Sequence, residues 1–269
     1  AGGLKCLSNV CTHRGKIIVE EPCSASLIRC GYHGRRFSLD GKFLSMPEFD
    51  GVVDFPSETD NLPEIPFAQL AGFLFVAIDP SDPFADFVDG AASCFDGIEP
   101  AELTLSSSRD YEVDAHWALY CENYLEGFHI PFVHRSLNEV VDYGSYKTEL
   151  FRYSSLQTGF DADGNIAGRY LFIFPNTMFN FYPWGISVNI VRPVSPGRSV
   201  VSFLTFVSDE SKRGGGAGAD LHLVEMEDEA VVESVQKGIR SRFYGRGRYS
   251  PTREQGTHHF HRLIAEFMK

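Results

Sequence analysis

Apolar and polar positions change rhythm along this chain, and each change marks a different kind of element. Up to about residue 80 the apolar runs are short and broken by turn residues. The segments 16–20, 26–30, 36–39 and 43–45 read as strands, with Asp40-Gly41 as a turn, and the first eight residues as a hairpin turn running into another strand. A connector rich in proline and acid follows (Pro56, Asp60, Pro63, Pro66), then an apolar strand over 72–78. Asp79-Pro80-Ser81-Asp82-Pro83 stops it and sets the expected boundary between two domains, 1–80 and 81–269.

Beyond that boundary the pattern predicts a strand at 108–113 and a helix from about Ala115 to His134. Residues 148–207 alternate as antiparallel strands do and are heavy in aromatics, among them Tyr170, Phe172, Phe174, Phe179, Phe181, Tyr182 and Trp184. A glycine-rich loop at 212–216 separates them from a helical period over 220–244, and a last helix starts near Thr257. Helices flanking an antiparallel sheet make the second domain α+β.

Size and composition narrow the class. With 269 residues and 43% hydrophobic content, two cores can be filled. Apolar runs stay short of the roughly 20 residues a bilayer span needs, and no signal-peptide pattern opens the sequence, so a soluble, cytoplasmic protein without a membrane partner is expected. The net charge of −12, with basic residues clustered only at 240–248, argues against nucleic acid. Six cysteines in a chain this large point to metal ligation or buried thiols rather than a disulfide set, and Cys6, Cys23, Cys94 and Cys121 read as structural. The start lacks an initiator methionine and a cap, so further residues are expected upstream of Ala1.

Two constellations carry chemistry. In the first, Cys11-Thr12-His13 and Cys30-Gly31-Tyr32-His33 each offer a thiolate and an imidazole from a tight loop, with Gly15, Gly31 and Gly34 allowing close backbone approach. Four such ligands suit tetrahedral zinc, or a two-iron cluster with both cysteines on one iron and both histidines on the other; the cramped C-x-H spacing favours the cluster.

The second lies in the stretch ENYLEGFHIPFVH, residues 122–134. His129 and His134 are five apart, and on a straight helix they would diverge by about 140°. Pro131 lacks an N–H and clashes with the preceding turn, so a kink there is expected to bring the imidazoles together. Glu126, three residues before His129, is placed to accept from that ring, and Asn123 faces the same way. A catalytic iron also needs a carboxylate. In the helix after Asp220, Leu221, Val224, Val231, Val235 and Ile239 form an apolar stripe into which Asp228 falls, whereas Glu225, Glu227 and Glu229 read as solvated. Asp228 is therefore the expected third ligand. Thr257-His258-His259-Phe260-His261 lacks a companion carboxylate or thiolate and reads as a helix start packed at a subunit contact.

With CTHRG, CGYHG and ENYLEGFHIPFVH in this order, the sequence resembles the large (alpha) subunit of Rieske non-heme iron oxygenases over nearly its whole length. The resemblance implies an all-β Rieske domain followed by a helix-grip (START-like) antiparallel-sheet catalytic domain. It implies a 2Fe-2S cluster with Cys11 and Cys30 on one iron and His13 and His33 on the other, and a mononuclear Fe(II) held by His129, His134 and Asp228. EDEAVVE looks like the segment carrying the third ligand, with Glu233 as a supporting carboxylate. The family's head-to-tail trimers imply that Glu126 joins His129 to His33 of a neighbouring copy. Partners would be O2, a small substrate, and an NAD(P)H-dependent reductase, with or without a ferredoxin.

The sequence departs from the pattern in three ways. The first Rieske strands, upstream of the C-x-H loop, are absent, Arg35 stands where many relatives have tryptophan, and Glu126 where many have aspartate. The last feature is similar to the subgroup acting on quaternary amines such as choline and carnitine. Hydroxylation or N-demethylation of such an amine is the leading expectation, with the aromatic strands 172–184 as a candidate cage or simply as sheet core. Aromatic-ring dioxygenation and a non-catalytic Rieske electron carrier are the alternatives.

Overall fold

The computed structural model describes residues 3–269, and the expected turn at Ala1-Gly2 lies outside the described residues. Chain contacts divide the protein into two units, 1–81 and 82–269.

The first unit consists of short strands and turns. β1 (Ile28–Arg29), β2 (Arg36–Phe37) and β3 (Phe43–Ser45) form one antiparallel sheet; β4 (Phe67–Leu70) and β5 (Phe73–Val76) form a hairpin. The strands expected over 4–8 and 16–20 are reduced to single bridges, Leu7 to Glu64 and Val10 to Ile17. The Lys16 carbonyl is taken by the Cys11 amide at 2.9 Å, so the chain closes a turn there instead of extending a ladder.

The second unit is built on a seven-stranded antiparallel sheet, order β6-β12-β11-β10-β9-β8-β7. Its strands are β6 (Thr104–Val113), β7 (Lys147–Leu150), β8 (Ser154–Phe160), β9 (Ile166–Ile173), β10 (Thr177–Tyr182), β11 (Gly185–Ser195) and β12 (Arg198–Val207). The helices are α1 (Phe84–Phe87), α2 (Trp117–Tyr124), α3 (Ile130–Val133), α4 (Arg135–Asn138), α5 (Leu221–Gly238) and α6 (Gln255–Phe267). No helix among the described residues is long and apolar enough to cross a membrane.

One face of the sheet does two jobs. Phe172, Phe174, Met178, Val191 and Val201 pack against Ala118, Cys121 and Leu125 around α2, Val232 of α5, and Phe260 and Leu263 of α6. Further along the same face the side chains become polar: Tyr170, Asn180, Tyr182 and Asn189 line a cleft. The register sets Asn180 against Tyr170 and Ser187, and Met178 against Phe172 and Asn189, so the switch from apolar to polar is level on β9 and β10 and comes one pair earlier on β11. On the opposite face Phe95 meets Phe179 and Phe181 edge to face, at 5.1 and 5.2 Å.

Two expectations about helices are corrected. The helix foreseen through His134 stops at Tyr124, well before Pro131. In a continuous helix the amides of Phe128 and His129 would bond back to the preceding turn; here both donate to Glu126 Oε2. Pro131 instead sits in the first turn of α3, where a missing N–H costs nothing. The buried face of α5 is also not the predicted stripe: Glu225, Val232 and Gln236 are buried, while Val235 is 42% exposed.

Candidate metal centres and active-site cleft

In the first unit the two ligand loops have the same backbone. Cys11 N–H donates to Lys16 O and Gly15 N–H to Cys11 O; Cys30 N–H donates to Arg35 O and Gly34 N–H to Cys30 O. Both glycines stand at φ +73°, which a side chain would strain, and space around Gly15 is open, so conformation is what selects glycine there. Cys11 and Cys30 are 4% and 1% exposed. Burial pushes the Cys11 thiol up, while the amides of Tyr32 and His33 and the Cys11 thiol pull Cys30 down against its own burial. The His13 and His33 rings lie 4.8 Å apart at 72°. Cysteine is thus paired with cysteine and histidine with histidine.

Arg35 is 2% exposed, bonded to Asp60 and faced by Phe37, Phe43 and Phe55 at 4.9 to 5.9 Å. Thr12 Oγ1 donates to Asp60 O at 2.8 Å, so this buried pair reaches from the second ligand loop to the first.

In the second unit the break after α2 aims His129 inward. Glu126 Oε1 takes His129 Nδ1 at 2.7 Å. His134, 1% exposed at the end of α3, gives Nδ1 to Glu227 Oε2 at 2.8 Å. With both Nδ1 atoms donating to carboxylates, both Nε2 atoms carry lone pairs. These lone pairs face each other at 3.1 Å, and Asp228 Oδ1 stands 3.0 Å from His134 Nε2 and 3.5 Å from His129 Nε2. With both rings neutral, three acceptors converge there, an arrangement that suits a cation. Ligand atoms at about 2.1 Å from one metal and at right angles are about 3.0 Å apart, close to the distances found. Burial alone would lower His134, but its bonds to Asp228 and Glu227 raise it, as expected where negative charge surrounds an imidazole.

Among the described residues this is the one group of three such ligand atoms lying within 4.8 Å of one another. Cys11, His13, Cys30 and His33 do not gather round a single point in that way, so they fit a two-centre cluster better than one tetrahedral ion.

The triad opens onto a cleft lined by Tyr146, Tyr170, Tyr182, Asn123, Phe203 and Glu225 among others. Tyr146 and Tyr170 stack with centroids 6.5 Å apart, and Tyr182 meets Tyr170 at 6.2 Å nearly perpendicularly. Glycines behind the rings make room: a Cβ at Gly127 would lie 2.7 Å from the Tyr146 ring, one at Gly168 2.9 Å from Tyr170 Oη, and one at Gly218 2.9 Å from Tyr182. Tyr124 Oη donates to Asn180 Oδ1 at 2.9 Å at the cleft floor.

Residues 1–56 match the Rieske 2Fe-2S domain and residues 144–269 the catalytic domain of ring hydroxylating alpha subunits. The chain carries a Rieske domain followed by the catalytic domain of ring hydroxylating alpha subunits. Over its full length it is 29% identical to the chloroplastic choline monooxygenase of Arabidopsis thaliana, covering 69% of that protein. It is 27% identical to the carnitine monooxygenase oxygenase subunit of Escherichia coli (strain K12), over 99% of this chain and 78% of that one. Against other plant choline monooxygenases it spans 63 to 65% of their length. A solved quaternary ammonium Rieske monooxygenase, CntA with L-carnitine, superposes with a TM-score of 0.80 at 26% identity, covering 98% of this chain and 78% of that one. Naphthalene 1,2-dioxygenase from Rhodococcus sp. shares the fold, with a TM-score of 0.72 at 16% identity over 97% of this chain and 80% of that one.

Other expected sites fall as follows. Asn123 lines the cleft. Glu233 stands away from the triad and accepts from the Asp114 amide at 3.1 Å. His261 Nε2 lies 2.8 Å from Glu122 Oε1, and its Nδ1 is bonded to the Tyr249 hydroxyl. Of the aromatic segment 172–184, Phe172, Phe174, Phe179, Phe181 and Trp184 are buried core and only Tyr182 faces the cleft.

Sequence reasoning missed Glu225 and Glu227, both set aside as solvated. Glu225 is 2% exposed, its Oε2 accepts from Tyr120 Oη at 2.5 Å, and its carboxyl is hydrogen-bonded to the Glu229 side chain. Burial pushes its pKa well above the usual carboxylate range, and the nearby charges of Asp228 and Glu229 add to this. An apolar periodicity cannot reveal a buried acid; its spacing from Asp228, one turn away, was the available signal.

Proposed function

We propose that this chain is the terminal oxygenase of a multicomponent system that oxidises a small quaternary amine by hydroxylation or N-demethylation, using O2 and electrons from an NAD(P)H-dependent reductase, with or without a ferredoxin. The observation that carries the reading is the meeting of the His129 and His134 Nε2 atoms with Asp228 Oδ1, 3.0 to 3.5 Å apart. His129, His134 and Asp228 would hold the mononuclear iron; Cys11, Cys30, His13 and His33 would hold the cluster. When bound, the cluster supplies single electrons and the mononuclear iron activates O2 beside the substrate.

The chain's own residues set the conditions. Glu126 and Glu227 keep both imidazoles in the tautomer that presents Nε2. Glu126 would also receive His33 of a neighbouring copy in a head-to-tail trimer, so that one copy's cluster serves the next copy's iron. The tyrosine faces of the cleft suit a trimethylammonium group by cation–π attraction, about 0.5 to 2 kcal/mol per contact. The choline and carnitine monooxygenases among the relatives support the same class. Six free cysteines are consistent with a reducing compartment, and we place the protein in the cytoplasm.

Metal and sulfide analysis tests the cofactors: about three irons and about two acid-labile sulfides per chain are expected, against two and two for a bare electron carrier. NADH consumption and product formation across choline, carnitine, betaines and simple aromatics, with a surrogate reductase, tests the substrate. Turnover of aromatics alone would refute the amine class.

A further inference from the structure

Asn189 carries a hydrogen-bond donor that the protein itself does not use. It lies on β11, is 4% exposed, and lines the cleft. Its orientation follows from its neighbours. Asn180 Nδ2 donates to the Ser187 carbonyl oxygen at 3.4 Å, an atom that can only accept, and this fixes the Asn180 amide. The same Nδ2 lies 3.4 Å from Asn189 Oδ1, to which the Ser187 hydroxyl also donates, at 3.2 Å. Both bonds use the Asn189 oxygen. Its Nδ2 is left with no acceptor among the described residues. A buried donor in that state is costly, and an oxygen brought by whatever fills the cleft would satisfy it.

We propose that Asn189 is a specificity-determining residue that donates through Nδ2 to an uncharged oxygen of the substrate, so that the cleft takes a quaternary amino alcohol in preference to a betaine. This deepens the quaternary-amine reading and rests on it. The charge of the cleft decides which kind of oxygen fits. Glu126, Glu225 and Asp228 line it, and no lysine or arginine does. The two charges of a bound Fe(II) are met by Asp228 and by Glu126 and Glu227, the carboxylates behind the histidines. A substrate carboxylate would therefore enter without a counter-charge, with one amide group for its several lone pairs, and would lose more hydration than it regains. A hydroxyl oxygen needs only one donor, and it can replace water on Nδ2 without loss of the bond. Tyr146, Tyr170 and Tyr182 offer faces to the trimethylammonium end. Asn189 adds a requirement at the other end that a ring cannot impose.

The test is calorimetric titration of the purified full chain with its metals, wild type and Asn189→Leu. The probes are choline, propyltrimethylammonium, in which a methyl group replaces the hydroxyl, and glycine betaine, in which a carboxylate replaces the CH2OH group. Leucine keeps the bulk of the side chain and removes the N–H. Wild type should bind choline about three- to tenfold more tightly than propyltrimethylammonium, and at least about tenfold more tightly than glycine betaine. Asn189→Leu should bring choline and propyltrimethylammonium within about twofold of each other, with iron content unchanged. A folded leucine variant that kept the wild-type ratio would overturn the role of Asn189. So would a wild type that bound choline no better than propyltrimethylammonium, or glycine betaine as tightly as choline, a comparison that stands even where the variant does not fold. Each of these results leaves the quaternary-amine reading intact. Failure of the wild type to bind any of the three probes would overturn that reading and this inference together.

Discussion

Replacing Glu227 should weaken iron binding at a site it does not itself occupy. Glu227 Oε2 takes the Nδ1 proton of His134 at 2.8 Å; His134 is 1% exposed and Glu227 28%, so water entering where Glu227 stood replaces the acceptor without its charge or its fixed position. Removing such an outer carboxylate from a ligating histidine costs about 10- to 100-fold in metal affinity, or about 1.4 to 2.7 kcal/mol. Glu227→Ala removes both the charge and the fixed acceptor, so it should fall toward the upper end of that range. Glu227→Gln retains an acceptor and loses only charge, so about tenfold is expected. Competition between the metal-stripped protein and a chromophoric Fe(II) chelator measures this directly, with cluster absorption as an internal standard. If Glu227→Ala competed for Fe(II) as well as wild type, the argument that this carboxylate fixes the His134 tautomer would be wrong.

Asp228→Ala should lose mononuclear iron with the visible absorption of the cluster unchanged; iron retained in full would refute its assignment as a ligand. Glu126→Ala should keep both metals but break the coupling between cluster reduction and product formation in stopped-flow traces, and normal turnover would end its bridging role. Arg35→Met should destabilise the first unit by about 1 to 3 kcal/mol, read as earlier loss of cluster absorption in urea, because it takes the guanidinium from Asp60 Oδ1 and leaves that carboxylate to Ser57 alone. Burial works against the Asp60 carboxylate, but the Ser57 amide and hydroxyl and the Arg35 guanidinium hold its pKa below the usual value. A folded pKa below the unfolded one gives stability that is complete above the ordinary carboxylate range and lost as pH falls through the folded value. Asp60→Asn should therefore flatten the acid limb of a plot of urea midpoint against pH, and an unchanged limb would refute the pairing.

How far the sequence led differs from element to element. The paired loops around Cys11 and Cys30 were legible because spacing and glycine placement are local properties. Where the helix after Ala115 ends was not, since the cause is a side chain: Glu126 captures two amides that propensity would assign to the backbone. Asp228 was singled out by a stripe that the structure shifts. The helix face that packs inward carries Glu225 and Gln236, which pair with Tyr120 and the His116 amide, and hydrophobic periodicity scores such residues as solvent-facing. The sheet was predicted as aromatic throughout, yet which aromatics form core and which form cleft depends on cross-strand register, which no single strand encodes.

The glycines at 127, 168 and 218 stand behind the tyrosine rings rather than within the cleft, and this gives the fold a way to change its diet. A single methyl at Gly127 would come within 2.7 Å of the Tyr146 ring and one at Gly168 within 2.9 Å of Tyr170 Oη, so those walls would have to shift, whereas one at Gly218 would meet Trp184 Nε1 first, at 2.6 Å, and Tyr182 next, at 2.9 Å. Descendants of such a chain could drift from bulkier amines to slimmer ones through mutations invisible to a comparison of ligand motifs, and a laboratory library confined to those three codons would sample the same route.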